Sequence, residues 1–380
     1  MKKRMIFHVP LKLRDGYISG STIRPQKMMA AFRSVGYEVD AVWGTSSERK
    51  LKIGEIRRNI ENGVKYDFLY AENNTVPRLI ATDEYHIPRH PFVDRCFFAY
   101  LKKQKIPMGI FYRDMYWKYP KAMADLSWWK RNLIIALQKR ELAEYEQLFD
   151  VLFLPSMRCL KPLETKFSGT ICSLPPGVPK AQPEIKVQHD KLHIFYVGGI
   201  GNQYDLRLFL SVVGKMPEID LTLCCRKINW EPIKLMYEPY LAENIHIIHK
   251  QGEVELLPYF HQADVACMFF KPDIYIEMAM PVKLFEYMAN LLPIISNDGN
   301  AAGDFVREND IGWSLPYEEK SLRECLSKLV ADYEMIAYKR ANIERILPDN
   351  TWEARADMAA KILREKGRDI ERENRIFGTG

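Results

Sequence analysis

From Met280 to Asp298 the chain places a helix directly before a strand that is apolar almost throughout, "MPVKLFEYMANLLPIISND". Pro281 is suited to open the helix, because its missing N–H costs nothing in a first turn. Val282, Leu284, Phe285, Met288 and Ala289 then recur at about one helical turn, with Lys283, Glu286 and Asn290 on the polar side. "LLPIIS" follows as a short apolar run of the kind buried on both faces of a parallel sheet. Lys283 and Glu286 stand three residues apart and share one side near the helix N-terminus. Free N–H groups and the positive dipole make that end favourable for an anion. Two readings stay open: a cation-and-amide cluster for a phosphate with a carboxylate for a sugar hydroxyl, or a surface ion pair on an ordinary helix.

The same alternation of strand and helix runs through the rest of the chain. "MIFHVP" reads as a first strand, and Gly16 and Gly20 permit tight turns after it. Ser21 or Thr22 can cap a helix to about Val35, which Gly36 ends before the strand "YEVDAVWG". These glycines do not follow GxGxxG, so a nicotinamide or flavin dinucleotide is a weak reading. "KYDFLYAEN" and "MGIFY" are further strands, and Arg113 and Asp114 stand at the C-terminal end of the second. Ligands of open α/β sheets bind beyond those ends. The segment Met115–Phe149 mixes Tyr116, Trp117, Lys118, Trp128, Trp129, Lys130 and Arg131, then continues as a strong helix. Aromatic and basic residues together suit a membrane interface with anionic headgroups, or else tryptophans packing inward. "FDVLFLPS" is a buried strand, and a proline-rich connection lies at about 175–190. A second series begins with "LHIFYVGGIGNQYDL", whose turn at Gly199 and Gly201 can bring backbone N–H groups to a phosphate. "IDLTLCCRK" ends on Arg226 and Lys227, and the turn from Gly252 to Val254 lies where a nucleobase can rest on backbone.

A chain of 380 residues exceeds one comfortable core and implies two domains. The formal net charge of +6 is too small to indicate nucleic acid, but it suits phosphorylated ligands or an anionic membrane surface. Seven scattered cysteines without a CxxC pair read as reduced thiols of a cytoplasmic protein. No run approaches the roughly 18 apolar residues of a membrane span, so membrane contact is expected to be peripheral, at the inner face of the cell membrane. The histidines have no metal-ligand spacing, and there is no DxD triplet, so no metal is expected.

The ordered pieces "DVLFLPS", "LPPGV", "IFYVGGIGNQYDL", "LTLCCR", "NIHIIHKQGEV", "QADVACMFF" and "PVKLFEYMANLLPIIS" resemble the GT-B glycosyltransferases, especially glycosyltransferase family 4. "NTWEARADMAAKIL" resembles the helix that closes that fold. The resemblance implies an α/β fold of two Rossmann-like domains facing across a cleft: residues 1–178 on the acceptor side, 190–345 binding the nucleotide sugar, and 350–380 returning as a helix to the first domain. Glu286 matches the second glutamate of the family's pair, which holds the donor ribose. The first is expected eight positions earlier, where Met278 stands beside Glu277. Lys283 falls where the helix start meets the diphosphate. Arg226 would replace the arginine and lysine that relatives carry after the first strand of this domain. Arg113 and Asp114 occupy the place of a family His-Asp.

The resemblance therefore implies sugar transfer from a UDP-, GDP- or dTDP-linked donor to a glycan or lipid-linked acceptor, as in bacterial surface polysaccharide synthesis, with retention of configuration and no required cofactor. Its catalytic set is Asp114, Arg113, Arg226 and Lys283. Gly199, Gly201, Arg226, Gly252, Val254, Lys283 and Glu286 bind the donor, and Gly20, Ser21 and Trp117 lie on the acceptor side. A nucleotide-sugar 2-epimerase of the same fold and a non-catalytic nucleotide- or glycan-binding protein are the alternatives.

Overall fold

The structure, a computed structural model, describes residues 3–11, 20–81, 87–113, 115–119, 123–179, 190–201 and 203–377, with 20–22 and 371–377 described as backbone alone. The chain divides into two compact units, Met1–Pro175 with Trp352–Gly380, and Pro176–Thr351.

The first unit runs β1 (Lys3–His8), α1 (Gly20–Ser34), β2 (Tyr37–Val42), α2 (Ser46–Glu61), β3 (Phe68–Glu72), α3 (Val93–Lys103), β4 (Met108–Phe111), α4 (Trp128–Leu148), β5 (Val151–Leu154), a single turn α5 (Leu160–Leu163) and β6 (Thr170–Ser173). Its strands pair in parallel in the order β2-β1-β3-β4-β5-β6. Gly36, at φ +92°, makes the left-handed turn that stops α1 and starts β2. Thr45 and Glu48 form a reciprocal capping box that fixes the start of α2.

The second unit runs β7 (Leu192–Val197), α6 (Arg207–Val213), β8 (Ile219–Cys224), two short turns α7 (Lys227–Trp230) and α8 (Lys234–Tyr237), β9 (Ile245–Ile248), α9 (Glu253–Gln262), β10 (Val265–Met268), α10 (Ile274–Met278), α11 (Val282–Ala289), β11 (Ile294–Asn297), α12 (Ala301–Glu308), β12 (Gly312–Leu315), α13 (Glu319–Ala331) and α14 (Glu334–Ile346). Its sheet is also parallel, ordered β12-β11-β10-β7-β8-β9. Strand order therefore reverses direction between β1 and β3 in the first sheet and between β7 and β10 in the second. Those two crevices are where open α/β sheets take ligands.

The last helix, α15 (Trp352–Phe377), belongs to the first unit. Ala356, Ala359, Ala360 and Leu363 share one buried face, packed with Phe7, Phe32, Phe68, Tyr70, Phe111 and Phe153. Gly109 of β4 allows this approach: a Cβ there would stand 2.7 Å from the Phe153 ring and 2.9 Å from Leu363. The opposite face of β1 carries a buried ionic cluster. His8 Nε2 lies 2.8 Å from Asp94 Oδ1, and Arg49 donates to both Asp94 oxygens at 2.9 Å. Burial pushes the His8 pKa down, only partly offset by Asp94. Burial alone would raise Asp94, but His8 and the Arg49 and Arg78 guanidinium groups hold it well below the usual carboxylate range.

Two outcomes are expected. Gly109→Val should overpack the seat of α15 and cost about 1–3 kcal/mol in chemical denaturation. Because folded His8 has a lowered pKa, the unfolded chain binds its proton first, so stability is full above about pH 6.5 and falls below it. The loss is limited to about 1.4 kcal/mol per pH unit for that one proton. His8→Gln should remove this first step, leaving the Asp94 loss at more acidic pH, and urea midpoints from pH 7.5 to 5 would show it.

Candidate functional site

In the second unit the residues singled out by sequence gather at the C-terminal edge of the sheet. Pro281 precedes α11, in extended backbone at φ −68° and ψ 139°, rather than occupying its first turn. Lys283 and Glu286 form an ion pair of 2.5 Å on the half-buried side of that helix. Their partner face is core: Leu284, Phe285, Tyr287 and Met288 are fully buried. Tyr287 fixes the helix against β7, because the backbone N–H of Val197, the last residue of β7, donates to its hydroxyl at 3.0 Å. The turn containing Gly199 and Gly201 follows directly.

That turn is closed by its own backbone and an aromatic ring. Gly201 has φ +108°, and its carbonyl accepts from Tyr204 N–H at 3.0 Å. A Cβ on Gly199 would meet the Tyr204 ring at 2.8 Å, and the Gly199 carbonyl accepts from the Tyr196 hydroxyl. Arg226 leaves β8, the neighbour of β7, as an exposed residue whose carbonyl starts α7 by accepting from Asn229 and Trp230. Gly252 precedes α9 at φ +80°, and Val254 in its first turn is 87% exposed. An exposed valine beside open backbone is a surface on which a planar ring can rest. At the register of the missing glutamate, Met278 is buried in the protein, while Glu277 is exposed on α10.

In the first unit, Arg113 is buried just past the end of β4. Its N–H donates to Asn73 Oδ1 at 2.8 Å and its carbonyl accepts from Asn73 Nδ2 at 3.2 Å, so one asparagine extends the β3–β4 pairing by a residue. Asp114 lies outside the described residues. Gly20 and Ser21 begin α1. Trp117 is buried, its indole N–H donating to the Tyr112 hydroxyl at 3.1 Å, and it packs beneath the loop instead of facing outward. Trp128 and Trp129, by contrast, are 72% and 58% exposed at the start of α4, beside Lys130 and Arg131. Sequence reasoning passed over Arg24, Glu72 and Asn73. The available signal was "AENN", polar residues set directly against the end of an apolar strand. Among the described residues, no three His, Cys, Asp or Glu side chains converge as a metal site.

Residues 191–332 match the family model described as "Glycosyl transferases group 1". Among curated proteins, none matches the sequence significantly. Among solved structures, sucrose-phosphate synthase from Thermosynechococcus elongatus is similar at 14% identity and a TM-score of 0.65, over 96% of this chain and 99% of that one. HepE of Anabaena, in complex with UDP and glucose, is similar at 11% identity and a TM-score of 0.59, over 95% and 99% of the two chains. WaaG, a glycosyltransferase involved in lipopolysaccharide biosynthesis, is similar at 13% identity and a TM-score of 0.56, over 94% and 99%. At these identities the likeness is one of fold.

Proposed function

We propose that this chain, a GT-B protein whose second unit carries a glycosyl transferases group 1 domain, moves a sugar from a nucleotide-sugar donor to a glycan or lipid-linked acceptor. The observation that carries the reading is the Lys283–Glu286 pair, held at the N-terminus of α11 beside the glycine turn at the β7–β10 switch point. The family match spans all the donor-side candidates: Gly199, Gly201, Arg226, Gly252, Val254, Lys283 and Glu286.

In this mechanism Glu286 accepts from the ribose hydroxyls of the donor. Lys283, Arg226 and the N–H groups at Gly199–Gly201 and the α11 start meet the diphosphate. Charge accumulates on that diphosphate as the sugar–phosphate bond breaks, so preset cations and amides favour the transition state. Lys283 must exchange its bond to Glu286 for one to phosphate, and the freed carboxylate then serves the ribose. Transfer proceeds with retention and without a metal, with UDP-, GDP- or dTDP-sugars as donors. The complex of HepE with UDP and glucose makes UDP-glucose the first donor to try. The acceptor is bound by the first unit, on the strand edge that carries Arg113. WaaG's part in lipopolysaccharide biosynthesis supports a surface glycan as acceptor. No helix of the described residues is long and apolar enough to cross a membrane. The start of α4, with Trp128, Trp129 and Leu133 exposed beside Lys130 and Arg131, is suited to an anionic membrane surface at the cytoplasmic face.

Titration calorimetry with UDP, GDP and dTDP tests the donor site. Lys283→Ala and Glu286→Ala should each weaken the preferred nucleotide about tenfold to a hundredfold, as expected for a lost hydrogen bond to a charged group. Unchanged affinity in both would remove the site. Turnover should withstand a chelator, and complete loss restored by manganese would overturn metal independence. In vesicle flotation, the chain should bind phosphatidylglycerol and release it as salt rises. Trp128→Ala with Trp129→Ala should abolish flotation, and binding that survives the double change would place the contact elsewhere.

A further inference from the structure

Two buried charges at the switch point of the first sheet are left with hydrogen bonds unmade. Glu72, the last residue of β3, is 1% exposed, and Arg24, in the second turn of α1, is 4% exposed. β1 and β3 are neighbours whose chains continue to opposite sides of the sheet, so the pair lies where such a sheet takes a ligand. The Arg24 guanidinium lies over the Phe111 ring, with Cζ 3.5 Å from its centroid and 5.7 Å from that of Trp352. Arg24 Nη2 donates to the Tyr70 hydroxyl at 3.4 Å, which donates in turn to Glu72 Oε1 at 3.1 Å. Arg24 Nε stands 3.5 Å from Glu72 Oε1 without hydrogen-bond geometry. Among the described residues, Arg24 Nε and Nη1 and Glu72 Oε2 therefore lack hydrogen-bond partners.

Packing gives no reason for charge here. The surroundings are Tyr70, Phe111 and Trp352, and apolar residues of similar volume would fill the space without desolvating two ions. We infer that Arg24 and Glu72 form the sugar-recognising pair of the first unit, taking hydroxyls of the acceptor. The word "acceptor" rests on the glycosyl-transfer reading above, but the recognition chemistry does not. One hydroxyl can donate to Glu72 Oε2 while accepting from one open Arg24 N–H, and a hydroxyl farther along the sugar can accept from the other. A phosphate would meet Arg24 but be repelled by Glu72, and an ammonium group would meet Glu72 but be repelled by Arg24. Hydroxyls, which both donate and accept, satisfy both charges at once. Because both side chains are covered, sugar binding requires a local opening around them.

The test uses the full chain and saturation-transfer NMR with glucose, galactose, mannose and N-acetylglucosamine, alongside UDP titration and thermal unfolding. The wild-type chain should bind at least one of the four sugars. The double variant Arg24→Met, Glu72→Leu should unfold no earlier than wild type and bind UDP unchanged, yet lose sugar affinity tenfold or more. Sugar affinity retained in that variant overturns the inference. A wild-type chain that binds UDP but none of the sugars overturns it as well. If the double variant does not fold, Glu72→Gln decides: reduced sugar affinity at unchanged thermal midpoint supports the pair, and a lowered midpoint at unchanged affinity assigns it to stability alone. A wild-type chain that binds sugar but no nucleotide sinks the donor reading of the second unit while leaving this pair standing.

Discussion

Every strand pairing in both sheets is parallel, and most of the architecture follows from that. Parallel neighbours cannot be joined by a tight hairpin, so each strand must send the chain through a crossover before the next begins. All strand-to-crossover turns then leave from one edge of each sheet. Crossovers covering both faces oblige the strands to be apolar on both sides, as β5 and β10 are. The ligand edge thus arises from backbone geometry, and side chains only decide what it binds. In the second unit that decision depends on the buried Tyr287 hydroxyl, which accepts from the Val197 amide and donates to the Val197 carbonyl. It ties α11 to the end of β7 and so brings a cation, a carboxylate and a glycine turn to the same crevice.

This explains which features were readable before any coordinates. Apolar runs such as "VLFLP" and "LLPIIS" can satisfy little except a buried parallel strand, so the α/β class was legible. So was the side of α11 shared by Lys283 and Glu286, because helical spacing is local. Local spacing does not report which way a side chain faces when both directions are compatible with its neighbours. Trp117 and Trp128 belong to one aromatic and basic segment, yet Trp117 is spent on Tyr112 in the interior while Trp128 stands in solvent. Met278 and Glu277 are adjacent, and only the packing of α10 shows that methionine takes the inward position. Strand order is similarly silent in the sequence. Nothing in "FLYAE" shows that β3 lies beside β1, and without that neighbour Glu72 is an ordinary strand end.

The first sheet also separates two uses of buried charge that sequence cannot distinguish. His8 and Phe7 alternate along β1 and so face opposite sides. On the His8 side, the carboxylate of Asp94 has both oxygens occupied, by His8 and by the two-pronged Arg49. That carboxylate fixes α2 and α3 relative to β1 and is itself engaged at both oxygens, although Arg78 Nη1 beside it has no partner among the described residues. On the Phe7 side, Glu72 has one oxygen taken by Tyr70 and the other open, opposite an arginine with open donors of its own. Desolvation is unfavourable in both clusters, but the first, with three hydrogen bonds to Asp94, recovers more of it through internal bonds. A pair that leaves bonds unmade at a topological switch point is explained by what arrives there, and sugar hydroxyls are the groups that complete it.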